Sequence, residues 1–113
     1  MASGVQQSSE SAMAKGILAL EMARDGVRRC RQDVQDTRGK LSASYQGSDG
    51  REFGNLLDKW DAQCAIILRS LQEMIDRLYD SLEAHGVTQE AAVEAVAQAK
   101  ARAEAAFAQL MPA

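Results

Sequence analysis

Hydrophobic residues recur at every seventh position along the first third of the chain. A seven-residue repeat sustained over this length is typical of a long amphipathic helix, so the pattern predicts a helix over about residues 10–44. Residues 1–9 are small and polar, and we expect them to be disordered. The repeat consists of Met13, Leu20, Val27, Val34 and Leu41, and the companion positions Gly16, Ala23, Cys30 and Thr37 are small.

A second, cleaner pattern follows residue 50, with apolar residues in alternating steps of four and three. They are Phe53, Leu57, Trp60, Cys64, Ile67, Leu71, Met74 and Leu78. A neighbouring stripe of Leu68, Ile75 and Leu82 widens the apolar face. The narrow small-residue face of the first helix cannot cover so broad a surface. We therefore predict that Trp60, Leu68, Ile75 and Leu82 form an interface with a second chain.

The segment "EAHGVTQE" interrupts the second pattern at residues 83–90. Gly86 suits the position after a helix end, and Thr88 suits the N-cap of a new helix. The alanine-rich segment that follows carries Val93, Val96, Phe107 and Leu110. Alanine favours helix, but the apolar side is weak. The sequence thus predicts a helical or partly disordered C-terminal tail over residues 86–113.

The stretch "LSASYQGSDGREF" separates the two long helices at residues 41–53. Gly47 permits the backbone to reverse there, and a helical hairpin that closes at this turn would comprise residues 10–85. Cys30 and Cys64 each lie seventeen residues from Gly47, which brings them level in such a hairpin. They are either two free thiols that pack as small hydrophobic side chains or a disulfide, which needs Cα atoms closer than about 7 Å.

Composition limits the class of protein and the kind of partner. A chain of 113 residues forms one small domain, and the absence of strand-like alternation makes the predicted class all-α. The 13 basic and 16 acidic residues give a net charge of −3, which argues against a nucleic-acid partner. No apolar run is long enough for a transmembrane segment, and the first sixteen residues lack the basic start and apolar core of a secretory signal peptide, so we expect neither. We find no catalytic constellation, metal-ligand spacing or cofactor motif, so we expect a non-enzymatic protein without a cofactor.

Tyr45, Gln46 and Gly47 form an aromatic-x-Gly turn between two long helices, in a short chain without a signal peptide. In these features the chain resembles the WXG family of small type VII secretion proteins, whose usual motif is Trp-x-Gly. That family's Tyr-x-x-x-Asp/Glu element has a match in Tyr79 and Glu83. The sequence departs from the family in carrying tyrosine for tryptophan, and in placing Tyr79 inside the second helix rather than after it.

The resemblance implies a helical hairpin that pairs with itself or with a second WXG-type protein into a four-helix bundle. It also implies export through recognition of a C-terminal signal by the secretion ATPase. The protein would be cytoplasmic before export and then secreted without a cleavable signal peptide. The candidate signal residues are Tyr79 and Glu83, or the tail residues Val93, Val96, Phe107 and Leu110. The alternative is a cytosolic helical coiled-coil adaptor or regulatory subunit with no export role.

Overall fold

Three helices account for nearly all of the chain that the structure describes. The computed structural model describes residues 4–41 and 47–111, so Tyr45 and Gln46 of the predicted turn lie outside the described residues. Helix α1 spans Gly4–Leu41, α2 spans Ser48–Ala84 and α3 spans Gln89–Leu110. No strand occurs in the described ranges, which confirms the all-α class.

Helix α1 begins earlier than the sequence predicted. The expected disorder over residues 1–9 is wrong for residues 4–9, which are helical. Helix formation is cooperative, so the helix extends backward from the turns that bury Ala14 and Ile17. Ser8 and Ser9 lower helix propensity only slightly, and they lie inside the helix rather than capping it.

Gly47 lies directly before α2 in a left-handed backbone conformation. Its φ is +94°, and its carbonyl accepts a hydrogen bond of 3.1 Å from the backbone N–H of Arg51 in the first turn of α2. Residues with a Cβ adopt such a φ only at a cost in free energy. The glycine is therefore needed for its conformation, as the sequence predicted.

We expect Gly47→Val to lower the free energy of unfolding by about 1–2 kcal/mol, because a β-branched residue is strained at positive φ. Gly26→Ala is the matched control. Gly26 lies inside α1 with no atom within 4 Å of an added Cβ, so alanine there should stabilise the protein by up to about 1 kcal/mol. Urea unfolding followed by circular dichroism measures both changes. Equal stability of Gly47→Val and the wild type would contradict this account of the turn.

The structure divides into two compact units, and the first contains most of the buried side chains. This unit comprises the chain up to Glu21 and from Glu73 onward, so all three helices contribute to it. Helices α1 and α2 approach closely at Gly16, where an added Cβ would lie 3.3 Å from Leu78 Cδ1. Its core consists of Ala14, Ile17, Leu18, Ile75, Leu82, Ala92 and Val96.

The burial of Ile75 and Leu82 corrects the predicted dimer interface. Each of these side chains is only 2% exposed within the single chain. They belong to the same cluster as Ala92 and Val96 of α3, a helix that the sequence suggested would bury little. The prediction that Ile75 and Leu82 face a second chain is therefore wrong, since almost no surface of either remains.

The corner between α2 and α3 is closed by local hydrogen bonds. The N–H of Val87 donates to the carbonyl of Leu82, and that of Gly86, at φ +85°, donates to Glu83. This is the Schellman arrangement that ends helices at a glycine. Thr88 caps α3, because its Oγ1 accepts a 3.1 Å hydrogen bond from the N–H of Ala91. The predicted roles of Gly86 and Thr88 are confirmed.

The second unit, Met22–Gln72, is an antiparallel pair formed by the end of α1 and the start of α2. Polar contacts fix its register: Arg24 Nη1 donates to Gln72 Oε1 at 3.0 Å, Arg31 pairs with Asp61, and Arg38 pairs with Asp58. Cys64 is the one buried hydrophobic side chain among the described residues of this unit. The pair thus carries little core of its own.

Candidate functional site

An apolar surface runs along α2 within the second unit. Phe53, Trp60 and Ile67 recur at every seventh position, and Leu56 lies beside them; we call these four residues the α2 stripe. Leu56 is 62% and Ile67 46% exposed, Phe53 is also exposed, and Trp60 is half-buried. Apolar residues aligned on one helix face and left in water are typical of a protein-binding surface.

A groove of about 310 Å³ extends this surface onto α1. Phe53 lines it together with Leu57 of α2, and the α1 wall is formed by Cys30, Val34, Thr37 and Leu41, with Asp33 and Arg38 at the polar edge. The side chains of Cys30 and Thr37 are small and so fill little of the groove on the α1 side. The surface available to a partner therefore includes both helices of the second unit.

Arg31 and Asp61 form a bidentate ion pair between α1 and α2. Arg31 Nε and Nη2 donate to Asp61 Oδ1 and Oδ2 at 2.6 and 2.8 Å, and Gln35 Nε2 donates to Oδ1 at 3.2 Å. The hydrogen bonds from Arg31 lower the pKa of Asp61 below its ordinary value against the opposing effect of desolvation. The same pairing raises the pKa of Arg31, which stays charged at ordinary pH.

The ion pair makes stability depend on acidic pH. Because the folded-state pKa of Asp61 lies below its unfolded value of about 3.9, its contribution is present above that pH and is lost as pH falls through the folded pKa. We expect Asp61→Asn to lower the melting temperature at pH 6 and to have progressively less effect below pH ~4. Asp58→Asn, at a carboxylate that is 63% exposed, should have a smaller effect at pH 6. If the difference in melting temperature between Asp61→Asn and the wild type stays constant from pH 6 to pH 2, the role of Asp61 is refuted.

The two cysteines are free and differ in environment. Cys64 is buried in the second unit, whereas Cys30 is exposed and lines the groove. The structure therefore contains no Cys30–Cys64 disulfide. It agrees with the alternative of packed thiols for Cys64, and that alternative is wrong for Cys30, because the α1 seam is open to solvent at this position.

The predicted signal residues separate into covered and exposed groups. Val96 is buried, and Tyr79 is half-buried against the core of the first unit. Glu83 and Val93 are exposed. Phe107 and Leu110 are 60% and 79% exposed, and every residue from Lys100 to Met111 is exposed. The structure thus brings Tyr79 and Val96 to one core and leaves the end of α3 in water.

The predicted interface residues also separate. Trp60 belongs to the α2 stripe, whereas Leu68 is half-buried and lies beside Arg28 and Arg31 at another depression. Leu56 and Ile67 were not among the residues predicted for the interface, although both are exposed, and the pairing of Arg31 with Asp61 was not predicted. The seven-residue spacing of Phe53, Trp60 and Ile67 was a usable signal for the stripe.

Other kinds of site find little support in the described part of the chain. His85 lies at the end of α2, where its Nδ1 is 2.6 Å from the carbonyl oxygen of Ser81. No group of three or more His, Cys, Asp or Glu side chains in residues 4–41 and 47–111 is arranged to hold a metal ion. Within the same ranges, no helix combines the length and the apolar character needed to cross a membrane.

Comparison with protein-family models, with curated proteins and with solved structures gave no match. Functional assignment therefore depends on the surfaces described above and on the resemblance in the turn and helix pattern.

Proposed function

We propose that the protein is a non-enzymatic helical partner or substrate of a type VII secretion system. It binds a second helical hairpin, either its own copy or another WXG-type protein, to form a four-helix bundle. The observation that carries this proposal is the imbalance in the second unit. One buried hydrophobic side chain, Cys64, is set against the exposed apolar residues of the α2 stripe.

A second hairpin would correct this imbalance. Two antiparallel helix pairs that pack face to face bury one apolar stripe from each pair, and such bundles are stable and common. The α2 stripe has the length for this, because Phe53 and Ile67 are separated by fourteen residues, or about 21 Å along the helix. The Arg31–Asp61 pair links α1 to α2 within the same unit.

The export signal is proposed to lie at the end of α3. Phe107 and Leu110 are exposed apolar anchors on a helix whose side chains from Lys100 onward have no buried partner surface in the described chain. An amphipathic segment of this kind suits a groove on a larger protein such as the secretion ATPase. Tyr79 and Glu83 are the second candidate, and the partial burial of Tyr79 makes it the less accessible one.

Export assays in the native host test this proposal. We expect the full chain in the culture medium only when the secretion ATPase is present. A chain that ends at Ala99 retains Val96 and the docked part of α3, so it should fold with the same melting temperature, within a few degrees, and stay in the cells. Secretion of the shortened chain at the wild-type level would place the signal elsewhere. Retention of the full chain in cells with an active ATPase would favour the cytosolic adaptor.

A further inference from the structure

We propose that α3 is an internal cover that undocks from the first unit while keeping part of its helix and thereby uncovers Tyr79. Only Ala92 and Val96 of its 22 residues are buried, and Ala95 and Ala99 pack against the core from its edge. The two side chains that α3 buries, an alanine and a valine, are smaller than the isoleucine and leucine side chains that α1 and α2 bury in the same core. Of the three helices, α3 therefore loses the least buried apolar surface when it separates from the core.

The junction before α3 is built so that separation breaks no backbone hydrogen bond there. The Schellman bonds of Gly86 and Val87 are made entirely to α2, and the capping bond of Thr88 is made entirely within α3. Rotation about the ψ angle of Val87 leaves both helix ends satisfied. This junction can therefore act as a hinge.

Undocked α3 remains partly helical because of its composition. Ten of its 22 residues are alanine, the residue with the highest helix propensity, and Thr88 supplies the N-cap. An alanine-rich segment of this length retains partial helix in water without tertiary contacts. Opening therefore loses mainly the docking contact of α3 with the core, which is typical of a segment that opens without global unfolding.

Opening changes the surroundings of Tyr79. Tyr79 lies one turn after Ile75 and one turn before Leu82, and it packs against the cluster that Ala92 and Val96 complete. Once α3 leaves, Tyr79 and its two neighbours form an apolar face on α2, with Glu83 one turn further along. This inference deepens the proposed function in one respect, since Tyr79 and Glu83 are a candidate recognition patch and α3 would regulate access to it.

The test uses the purified full chain and a matched pair of valines on α3. Val96→Ala removes two buried methyl groups, so the undocked state should become about tenfold more populated. Because an isolated helix of this length readily opens its own hydrogen bonds, amide hydrogen exchange in residues 89–99 should accelerate by the same factor. Nitration of Tyr79 by tetranitromethane, followed on its peptide by mass spectrometry, should accelerate with it. Val93→Ala alters an exposed side chain of the same helix and should change neither rate. In the wild type, exchange in α3 should respond weakly to low urea concentrations, because a local opening exposes little surface.

Two results would overturn the proposal. One is wild-type exchange in α3 that shares the urea dependence and the rate of α1 and α2, which would mean that α3 opens only in global unfolding. The other is faster exchange of α3 in Val96→Ala without faster nitration of Tyr79, which would mean that α3 does not cover this side chain. Neither result depends on export, so either can occur while the proposed function stands.

Discussion

Replacement of Ile75 by aspartate is expected to unfold the first unit. The side chain is 2% exposed in the core shared by α1, α2 and α3, and no cation lies among the core residues. A carboxylate there is desolvated without a partner, so we expect a loss of about 4 kcal/mol or more in the free energy of unfolding. Circular dichroism should show a large drop in the melting temperature or a loss of helix at 25 °C.

Ile66→Asp is the control for this change. Ile66 lies on the same helix and is 46% exposed, so the same substitution leaves the new carboxylate in water. We expect a change within about 1 kcal/mol. The comparison also distinguishes the two positions of Ile75. If Ile75 lay in a dimer interface, as the sequence predicted, Ile75→Asp would weaken association and leave the fold intact. Equal stability of the two variants would show that Ile75 does not lie in the core.

Ile67→Asp should abolish binding of the second hairpin while the first unit stays folded. Ile67 occupies the α2 stripe, and in the proposed bundle its side chain is buried against the partner. A carboxylate at that position should weaken association at least a hundredfold, as expected for a buried interface residue that costs about 3 kcal/mol. Sedimentation velocity over a range of concentrations measures the shift from complex to free chain.

Ile66→Asp is an unusually close control for this association as well. Ile66 and Ile67 are the same residue type with the same 46% exposure, and they point about 100° apart around the helix. Only the change at residue 67 should weaken the complex. Equal weakening by both substitutions would indicate a general effect of charge or solubility and would remove the α2 stripe as the interface.

Local patterns in the sequence were sufficient to predict the helices, but not where α1 begins. The seven-residue repeat of α1 and the alternating steps of α2 describe elements whose apolar positions are set by helix geometry alone. Gly47, Gly86 and Thr88 were predictable because positive φ and N-capping depend on the residue type at one position.

The packing of α3 could not be predicted in the same way. Its docking surface consists of Ala92, Ala95, Val96 and Ala99, and alanines also occupy its exposed side, so no apolar periodicity distinguishes the two. Ile75 and Leu82 looked uncovered because this weak helix was not counted as their cover. Leu56 and Ile67 of the same helix are exposed instead, and only tertiary contacts reveal which of its apolar residues are buried.

The mass of the assembled protein tests the central claim of association most directly. The measurement is native mass spectrometry of the full chain purified under non-denaturing conditions from its native host. We predict a complex of this 12.2 kDa chain with one further helical chain, either a second copy or a different small protein, and its loss in Ile67→Asp but not in Ile66→Asp. A single species at the mass of one chain, from cells in which the protein is abundant, would contradict the account.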